Sequence, residues 1–414
     1  MAATVPGIVV RFTHPDIAHV VEAIIFGVAI ISSAFLLAWG AEAAQVDISA
    51  GLAIAVLAFI AVLPEYAVDM VFAWKGGKGF KEFGTACQAG GSEDSSPCTL
   101  ALANMTGANR LLIGIGWSLV VFLALYQWKK RGLPDREIKL DRANSVEISY
   151  LALASIYGLS LPLKKSLTLI DAAILVAIFI AYTVRIAKAP AEEPHLVGPA
   201  RWIGSMDTRR RRSAYIGLLL FAAFVILLCA ESFAEALVES GKAAGISEFL
   251  LVQWLAPLAS EAPELLVAGL FAWRLATTAG LSTLVSSKVN QWTLLVGTLP
   301  VVFALSSGSF HGLPLDAVQR EELFLTAAQA VFGVAVLISR SLSVREATML
   351  FGLFWAQFVL GAVVPESAHG VERIGVGVVY LALAAWFIFS QRQSAKSLFR
   401  DGFRTSYAAM QAED

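Results

Sequence analysis

Long apolar stretches separated by short polar connections make up most of the chain. Eleven of these stretches are close to the length, about 20 residues, at which an α-helix crosses the hydrocarbon core of a bilayer. They cover residues 17–44, 48–74, 98–128, 146–163, 168–187, 214–240, 246–275, 281–308, 318–339, 345–364 and 371–391. Only helices and closed barrels satisfy their backbone hydrogen bonds within lipid. The pattern therefore predicts an all-α, polytopic membrane protein.

Composition and charge narrow the class further. The 414 residues are 57% hydrophobic and 15% charged, with a mean hydropathy of +0.70, whereas soluble domains carry about 25% charged residues. These values exclude an ordinary soluble enzyme and a disordered chain. A net charge of −1 gives no indication of a nucleic-acid partner, so the partner we expect around the chain is the lipid bilayer.

Lysine and arginine residues concentrate in the connections on one side of the predicted helices. This basic side carries Lys129, Lys130, Arg131, Arg136, Lys139, Arg142, Lys188, Arg201, Arg209, Arg210, Arg211, Arg212, Arg340, Arg345, Arg392, Lys396, Arg400 and Arg404. Connections rich in lysine and arginine stay in the cytoplasm. We therefore predict a multi-pass protein of the cell membrane with its N-terminus outside and its C-terminus in the cytoplasm.

Two features of the connections have alternative interpretations. Cys87 and Cys98 belong to the predicted outer loop 76–97 and its end, where they form either a disulfide or two unpaired thiols. The segment 188–213 is rich in proline and contains the arginine run 209–212. This run either fixes the topology or binds anionic lipid.

The two halves of the chain repeat each other. Residues 61–75 (AVLPEYAVDMVFAWK) match residues 260–274 (SEAPELLVAGLFAWR), and weaker matches follow in the same order. These are 109–122 with 290–303, and 140–158 with 315–333. Each half has five spans, and an odd number makes the second copy enter the membrane from the opposite side. Inverted repeats of this kind are typical of secondary transporters.

This duplication predicts four parts of the chain. Residues 1–187 form the first five-helix repeat, 188–213 a basic cytoplasmic linker and 214–366 the second, inverted repeat. Residues 367–414 add an extra helix and a cytoplasmic tail outside the repeat. The sequence leaves the oligomeric state open.

Two glutamates occupy equivalent positions near the centre of the repeats, each directly after a proline. A charged carboxylate inside a span costs about 2.5–3.5 kcal/mol, so Glu65 and Glu264 require a compensating cation or proton. Pro64 and Pro263 cannot donate a backbone hydrogen bond, which frees carbonyl oxygens four residues earlier. Carboxylates beside a broken helix offer the hard oxygen ligands that suit Na⁺ or Ca²⁺. The alternative is a structural kink with each glutamate bonded to a neighbouring helix.

The next helix of each half adds polar side chains at matching positions. The candidates are Asn104, Thr106 and Asn109 in the first half and Ser287, Lys288 and Asn290 in the second. Hydroxyl and amide groups here either coordinate an ion or bond helix to helix.

The two Pro-Glu segments, followed by residues 104–109 (NMTGAN), resemble the two α-repeats of the sodium/calcium exchanger, or calcium/cation antiporter, superfamily. The resemblance implies a ten-helix core of five plus five helices, here with one extra C-terminal helix. It also implies ion sites between helices 2, 3, 7 and 8, and exchange by alternating access. Carried over by residue, it implies that Glu65 and Glu264 bind the metal ion, with Asn104 and Ser260 as further ligands.

The sequence departs from the pattern of this superfamily at several ligand positions. Ala61 and Val62 replace the expected threonine and serine, and Val285 replaces an asparagine or aspartate. Glu261 stands where serine is expected and Lys288 where glycine is expected. Hydroxyl and amide ligands are lost in this way.

Charged groups are gained instead. Asp69, one turn after Glu65, is an additional candidate for cation binding, as is Glu261. Lys288 can pair with Glu261 or Glu264, and its ammonium group then supplies the positive charge that a bound Na⁺ would supply. We therefore predict that Lys288 is a coupling residue and that H⁺ can be the counter-ion; the alternative is a permanent structural ion pair.

We predict a secondary active antiporter that moves Ca²⁺ or a related cation against Na⁺ or H⁺, with inorganic cations as its substrates. The chain is then not an enzyme, and no cofactor and no catalytic residue is expected. Three alternatives are a Na⁺/H⁺ exchanger without Ca²⁺ transport, an intramembrane hydrolase and a passive channel. The sequence has no HExxH or GxSxG motif, and the inverted repeat favours alternating access over a channel.

Overall fold

A computed structural model describes residues 1–47, 63–88, 96–189, 196, 198–245 and 250–411. Within these residues, eight helices are long and apolar enough to cross a membrane, and a bent pair over residues 251–273 raises the number to nine. The predicted all-α, polytopic membrane fold is confirmed. Of the predicted span 48–74, the part before residue 63 lies outside the described residues.

Helices follow one another along the whole described chain. They are α1 (Val5–Thr13), α2 (His19–Ala44), α3 (Leu63–Phe83), α4 (Pro97–Leu111), α5 (Ser118–Lys130), α6 (Ser145–Gly158), α7 (Leu169–Ile186), α8 (Pro199–Gly204), α9 (Thr208–Ala244), α10 (Ala256–Trp273), α11 (Thr277–Asn290), α12 (Val296–Ser307), α13 (Ala317–Val336), α14 (Val344–Val363), α15 (His369–Ser390), α16 (Arg392–Phe403) and α17 (Tyr407–Gln411).

Three short π-helical segments interrupt the α-helices, and two of them join consecutive helices into longer rods. Leu112–Trp117 connects α4 to α5, Gln291–Leu295 connects α11 to α12, and Leu251–Leu255 precedes α10. The first two lie just after Asn109 and Asn290, which match in the repeat. π-Helical turns are rare and are often found at functional sites.

The helix α3 is longer than the sequence indicated. We expected a loop from residue 76, but the helix continues to Phe83. Two glycines of this part of the helix are points of close approach: a Cβ atom on Gly77 would lie 1.7 Å from Ser306 Oγ, and one on Gly79 would lie 1.8 Å from the carbonyl oxygen of Cys87. Because glycine has no side chain, the neighbouring segments can pack directly against the helix at these two positions.

The chain divides into two compact units. The first comprises Met1–Met105, Thr183–Pro263 and Val302–Ser309, and the second comprises Thr106–Tyr182, Glu264–Val301 and Phe310–Asp414. Each unit takes segments from both predicted repeats. The division by repeats therefore stays a prediction based on the sequence.

In the first unit, α2, α3 and α9 share an apolar core. Leu36 and Leu37 of α2 pack with Ala67 of α3 and with Ala222 and Ile226 of α9. A disulfide joins Cys87 to Cys98 at the start of α4, so the disulfide interpretation of these cysteines is correct.

In the second unit, two short strand pairs show that the copies run in opposite directions. Strand β1 (Glu137–Lys139) precedes α6 and pairs with β4 (Ser341–Ser343), which follows α13. Strand β2 (Ser166–Leu167) follows α6 and pairs with β3 (Leu313–Pro314), which precedes α13. The start of each helix therefore lies beside the end of the other. Because the sequences of α6 and α13 match, this is the predicted inverted relation.

The same capping arrangement is found at the starts of α7, α13 and α14 and at the 3₁₀ turn that leads into α6. A side-chain oxygen accepts a hydrogen bond from the backbone N–H three residues earlier, which satisfies a donor that the helix leaves open. The four pairs are Asp141 with Asn144 (3.0 Å), Asp316 with Gln319 (2.8 Å), Thr168 with Asp171 (2.8 Å) and Ser343 with Glu346 (2.7 Å).

A buried ion network fastens α15, which we predicted to lie outside the repeat, to the rest of the second unit. Arg110 Nη2 lies 2.9 Å from Glu322 Oε2, and Arg373 Nε of α15 lies 2.9 Å from the other oxygen, Oε1. The side chains of Arg110 and Glu322 are 2% and 4% exposed. Arg110 also donates to Gln357 Oε1 at 3.2 Å. Glu322 is therefore shared by two arginines.

Substitutions in this network should show that Arg110 and Arg373 share the carboxylate of Glu322. We expect Glu322→Gln to destabilise the protein by about 3–5 kcal/mol, because it leaves buried guanidinium groups without their carboxylate. Arg110→Gln should cost less, because Arg373 still pairs with Glu322. The double variant should cost less than the sum of the two single variants. Thermal unfolding in detergent measures these effects, and strictly additive losses would contradict the shared pair.

The helix α16 is tied to the rest of the second unit through one buried aspartate. Asp401 accepts from Arg142 Nε at 2.7 Å and Nη2 at 3.1 Å, from Thr405 at 2.9 Å and from Arg340 at 3.3 Å. The hydrogen bonds from Arg142 lower the pKa of Asp401 to about 2. The ordinary value is about 3.9.

Because folding lowers the pKa of Asp401, its contribution to stability is present above about pH 4. It is lost as the pH falls toward about 2. We expect Asp401→Asn to destabilise the protein by about 2 kcal/mol at pH 7, with a difference from the unsubstituted chain that shrinks over this acid range. Melting temperatures as a function of pH provide the measurement, with Asp135→Asn, on an exposed aspartate, as control. A constant difference down to pH 2 would count against the ion pair.

Candidate cation site

Two carboxylates meet in the interior of the first unit. Glu65 of α3 and Glu261 of α10 are both 0% exposed, and a carboxylate oxygen of one lies within 4.8 Å of a carboxylate oxygen of the other. Two buried carboxylates at this distance cannot both remain charged without a cation, because each opposes the ionisation of the other. The arrangement can hold either a metal ion or protons.

A third carboxylate belongs to the same helix as Glu261. Glu264 follows three residues later on α10, about one helical turn along the chain. The rod bends by 55° between its parts Leu251–Ala262 and Glu264–Trp273, at the position of the proline. This is the break that the sequence predicted for the second copy. In the first copy, the carbonyl four residues before Pro64 belongs to Ile60, which lies outside the described residues.

An aspartate and an amide complete the polar interior of the first unit. Asn104 Nδ2 donates to Asp69 Oδ1 at 2.5 Å, and both residues are 0% exposed. The remaining oxygens, Asp69 Oδ2 and Asn104 Oδ1, are buried and accept no hydrogen bond from the described residues. These are hard oxygen atoms of the kind that Ca²⁺ and Na⁺ prefer. The structure thus joins two of the residues that the sequence singled out separately.

The hydroxyl groups near the prolines have protein partners. In the first unit, Ser260 Oγ donates to the carbonyl oxygen of Pro257 at 3.2 Å. In the second unit, Ser287 Oγ donates to Glu264 Oε2 at 3.2 Å. Thr106 and Asn290 are buried as well, at 0% and 3% exposed. Ser287 therefore supports one of the carboxylates that the sequence singled out.

Lys288 is fully buried in the second unit and is bound to Asn109. Its Nζ donates to the backbone oxygen of Asn109 at 2.9 Å and to Oδ1 of the same residue at 2.5 Å. It also lies 5.0 Å from the centre of the Trp292 ring, a distance at which a cation is attracted to the ring. The ammonium group therefore binds both the backbone and the side-chain oxygen of Asn109.

The sequence did not predict this contact. It predicted that Lys288 pairs with Glu261 or Glu264, and it treated Asn109 only as a candidate ligand. The π-helical segment that begins at Leu112 changes the backbone bonding of that rod from i→i+4 to i→i+5. Lys288 reaches the carbonyl just before this segment. The contact depends on this irregular helical segment. The hydrophobic periodicity of the sequence does not show where such a segment forms.

Comparison with known proteins agrees with the sequence resemblance. The family profile described as "Sodium/calcium exchanger protein" matches residues 19–188 and 214–363. A search of curated protein sequences finds no match.

Solved structures give three informative likenesses. The H⁺/Ca²⁺ exchanger CAX is 38% identical, with 100% of this chain and 97% of that chain covered and a TM-score of 0.87. The Ca²⁺/H⁺ antiporter protein YfkE is 13% identical, with 92% and 97% covered and a TM-score of 0.60. The sodium-calcium exchanger NCX_Mj is 15% identical, with 83% and 98% covered and a TM-score of 0.51. The last two likenesses concern the fold alone.

Proposed function

The chain belongs to the sodium/calcium exchanger protein family and is a membrane cation antiporter, and we propose that it exchanges Ca²⁺ for H⁺. The observation that carries this proposal is the buried approach of Glu65 to Glu261, with Glu264 one turn further on. Carboxylates in this arrangement are neutralised either by one divalent cation or by protons, which is the chemistry of such an exchange.

The exchange cycle follows from this competition for the same oxygens. Ca²⁺ binds carboxylates in their deprotonated form, so its arrival releases protons from the site. When Ca²⁺ leaves, protons return and lower the cost of carrying the empty site through the apolar interior. Asp69 Oδ2 and Asn104 Oδ1 are the further oxygens that we assign to Ca²⁺.

Lys288 favours H⁺ over Na⁺ as the counter-ion. Its ammonium group already supplies a fixed positive charge to the oxygens of Asn109, where a second mobile cation would otherwise bind. The full-length similarity to an H⁺/Ca²⁺ exchanger supports the same choice. We assign Lys288 a coupling role on these two grounds.

Counter-ion preference can be tested directly in proteoliposomes. We expect a pH gradient to drive saturable ⁴⁵Ca²⁺ uptake and a Na⁺ gradient of equal size, without a pH gradient, to drive little. Uptake driven equally well by Na⁺ would reject H⁺ as the specific counter-ion. Flux that needs neither gradient and does not saturate would indicate a channel instead.

We also propose that the N-terminus is outside and the C-terminus in the cytoplasm. The Cys87–Cys98 disulfide supports this orientation, because disulfides persist in oxidising compartments and these residues belong to the predicted outer side. Labelling of a cysteine introduced at Lys396 by a membrane-impermeant maleimide is expected only after cells are opened. Labelling of this cysteine in intact cells would show that the C-terminus is outside, which is the opposite orientation.

A further inference from the structure

The arginines at the start of α9 have different surroundings, although they are consecutive in sequence. Arg211 is a structural residue: its Nε and Nη2 bind the two oxygens of Asp47 at 2.8 and 2.7 Å, and its Nη1 donates to the carbonyl of Met206 at 3.1 Å. The side chains of Arg211 and Asp47 are only 13% and 6% exposed. This arginine closes the connection between α8 and α9.

Two other arginines of the run share one exposed face. Arg209 and Arg212 are three residues apart on α9, which places them side by side, and both are exposed. Arg212 Nε lies 3.5 Å from Asp47 Oδ1, which already binds Arg211, and its side chain is 56% exposed. Arg210 points elsewhere on the helix, with its Nε 3.4 Å from Asp207. The face formed by Arg209 and Arg212 therefore carries excess positive charge.

A tryptophan lies on the short helix just before this face. Ile203 of α8 is buried with Ala43, Ala44 and Tyr215, which turns the other side of α8 outward and leaves Trp202 69% exposed. The helix α8 sits where α2 ends and α9 begins. Because α2 and α9 are both long enough to cross a membrane, this place is a membrane boundary, where tryptophan is enriched at the level of the lipid headgroups.

We propose that Arg209 and Arg212 bind the phosphate of an anionic phospholipid whose headgroup lies against Trp202. Guanidinium groups bind phosphate through paired, charge-assisted hydrogen bonds. Basic residues close to a membrane attract anionic lipid with about 1 kcal/mol each. The charge of the face and the position of Trp202 at the headgroup level both favour this occupant.

Native mass spectrometry of the full chain in detergent tests the proposal. The protein is titrated with phosphatidylglycerol or with phosphatidylcholine of the same acyl chains, and binding of the first lipid is compared. We expect the unsubstituted chain to prefer phosphatidylglycerol, and Arg209→Gln/Arg212→Gln to lower this preference by about five-fold or more. The matched control is Arg201→Gln/Arg210→Gln, which removes the same charge from exposed positions and should keep the preference.

Each other outcome would overturn the proposal. Equal losses in the two double variants would show attraction by diffuse charge instead of a site. An unsubstituted chain that binds both lipids equally would show that the face does not select anionic lipid. All variants retain Arg211, so the pairing with Asp47 that closes this connection is unchanged.

Discussion

Replacement of Glu65 by glutamine should abolish Ca²⁺ exchange. The substitution keeps the size of the side chain but removes one of the two carboxylates that approach within 4.8 Å in the first unit. Outer-shell partners of metal ligands are themselves worth 10–100-fold in affinity, so loss of a proposed ligand should lower Ca²⁺ affinity by at least about 100-fold. Initial rates of ⁴⁵Ca²⁺ uptake into proteoliposomes at increasing Ca²⁺ concentration measure the effect.

The control for this prediction is Glu147→Gln. Glu147 is a buried glutamate of α6, 7% exposed, that we do not assign to the site. Its substitution should leave the Ca²⁺ dependence of uptake close to that of the unsubstituted chain. Loss of uptake in both variants would indicate a general intolerance of buried substitutions, and full uptake in Glu65→Gln would remove this residue from the site.

Replacement of Lys288 by alanine should change the pH dependence of exchange. In the unsubstituted chain, each proton that competes with Ca²⁺ lowers the apparent affinity by about tenfold per unit fall in pH. Without the fixed charge beside Asn109, a mobile cation becomes able to take its place. We therefore expect uptake to depend less on pH and to become sensitive to Na⁺, measured as ⁴⁵Ca²⁺ flux between pH 6 and 8 with and without Na⁺.

A lysine that only stabilises the fold would give a different result. Loss of its hydrogen bonds to Asn109 costs about 1–3 kcal/mol by leaving buried acceptors without a donor, so the melting temperature of Lys288→Ala should fall in either case. Lys288→Arg, which keeps the charge, separates the two roles because it should preserve the pH dependence. A pH profile that is unchanged in Lys288→Ala would exclude the lysine from coupling.

Much of the fold is encoded in local patterns that the sequence displays directly. Apolar length predicts the spanning helices, and the repeated segments around Glu65 and Glu264 indicate duplication. The bend at residue 263 follows from the missing N–H of proline. The capping pairs, such as Asp141 with Asn144 and its counterpart Asp316 with Gln319, show that the duplication extends to single hydrogen bonds.

The contacts within the site depend on tertiary structure and were less predictable. The sequence identified Glu65, Glu261 and Lys288 as unusual for their positions, but it did not indicate that Glu65 lies beside Glu261. The observed approach of Glu65 to Glu261 and the bonding of Lys288 to Asn109 depend on how the helices are rotated against each other. Nothing in the sequence indicated the role of Arg110, because its partners Glu322 and Gln357 are more than 200 residues away.

Equilibrium Ca²⁺ binding with a count of released protons tests the central claim most directly. Titration calorimetry of the detergent-solubilised chain in two buffers of different ionisation enthalpy gives both the affinity and the number of protons released. We predict saturable Ca²⁺ binding that releases protons in the unsubstituted chain, and no such binding in Glu65→Gln/Glu261→Gln. Unchanged Ca²⁺ affinity in this double variant, or binding without proton release, would contradict the account.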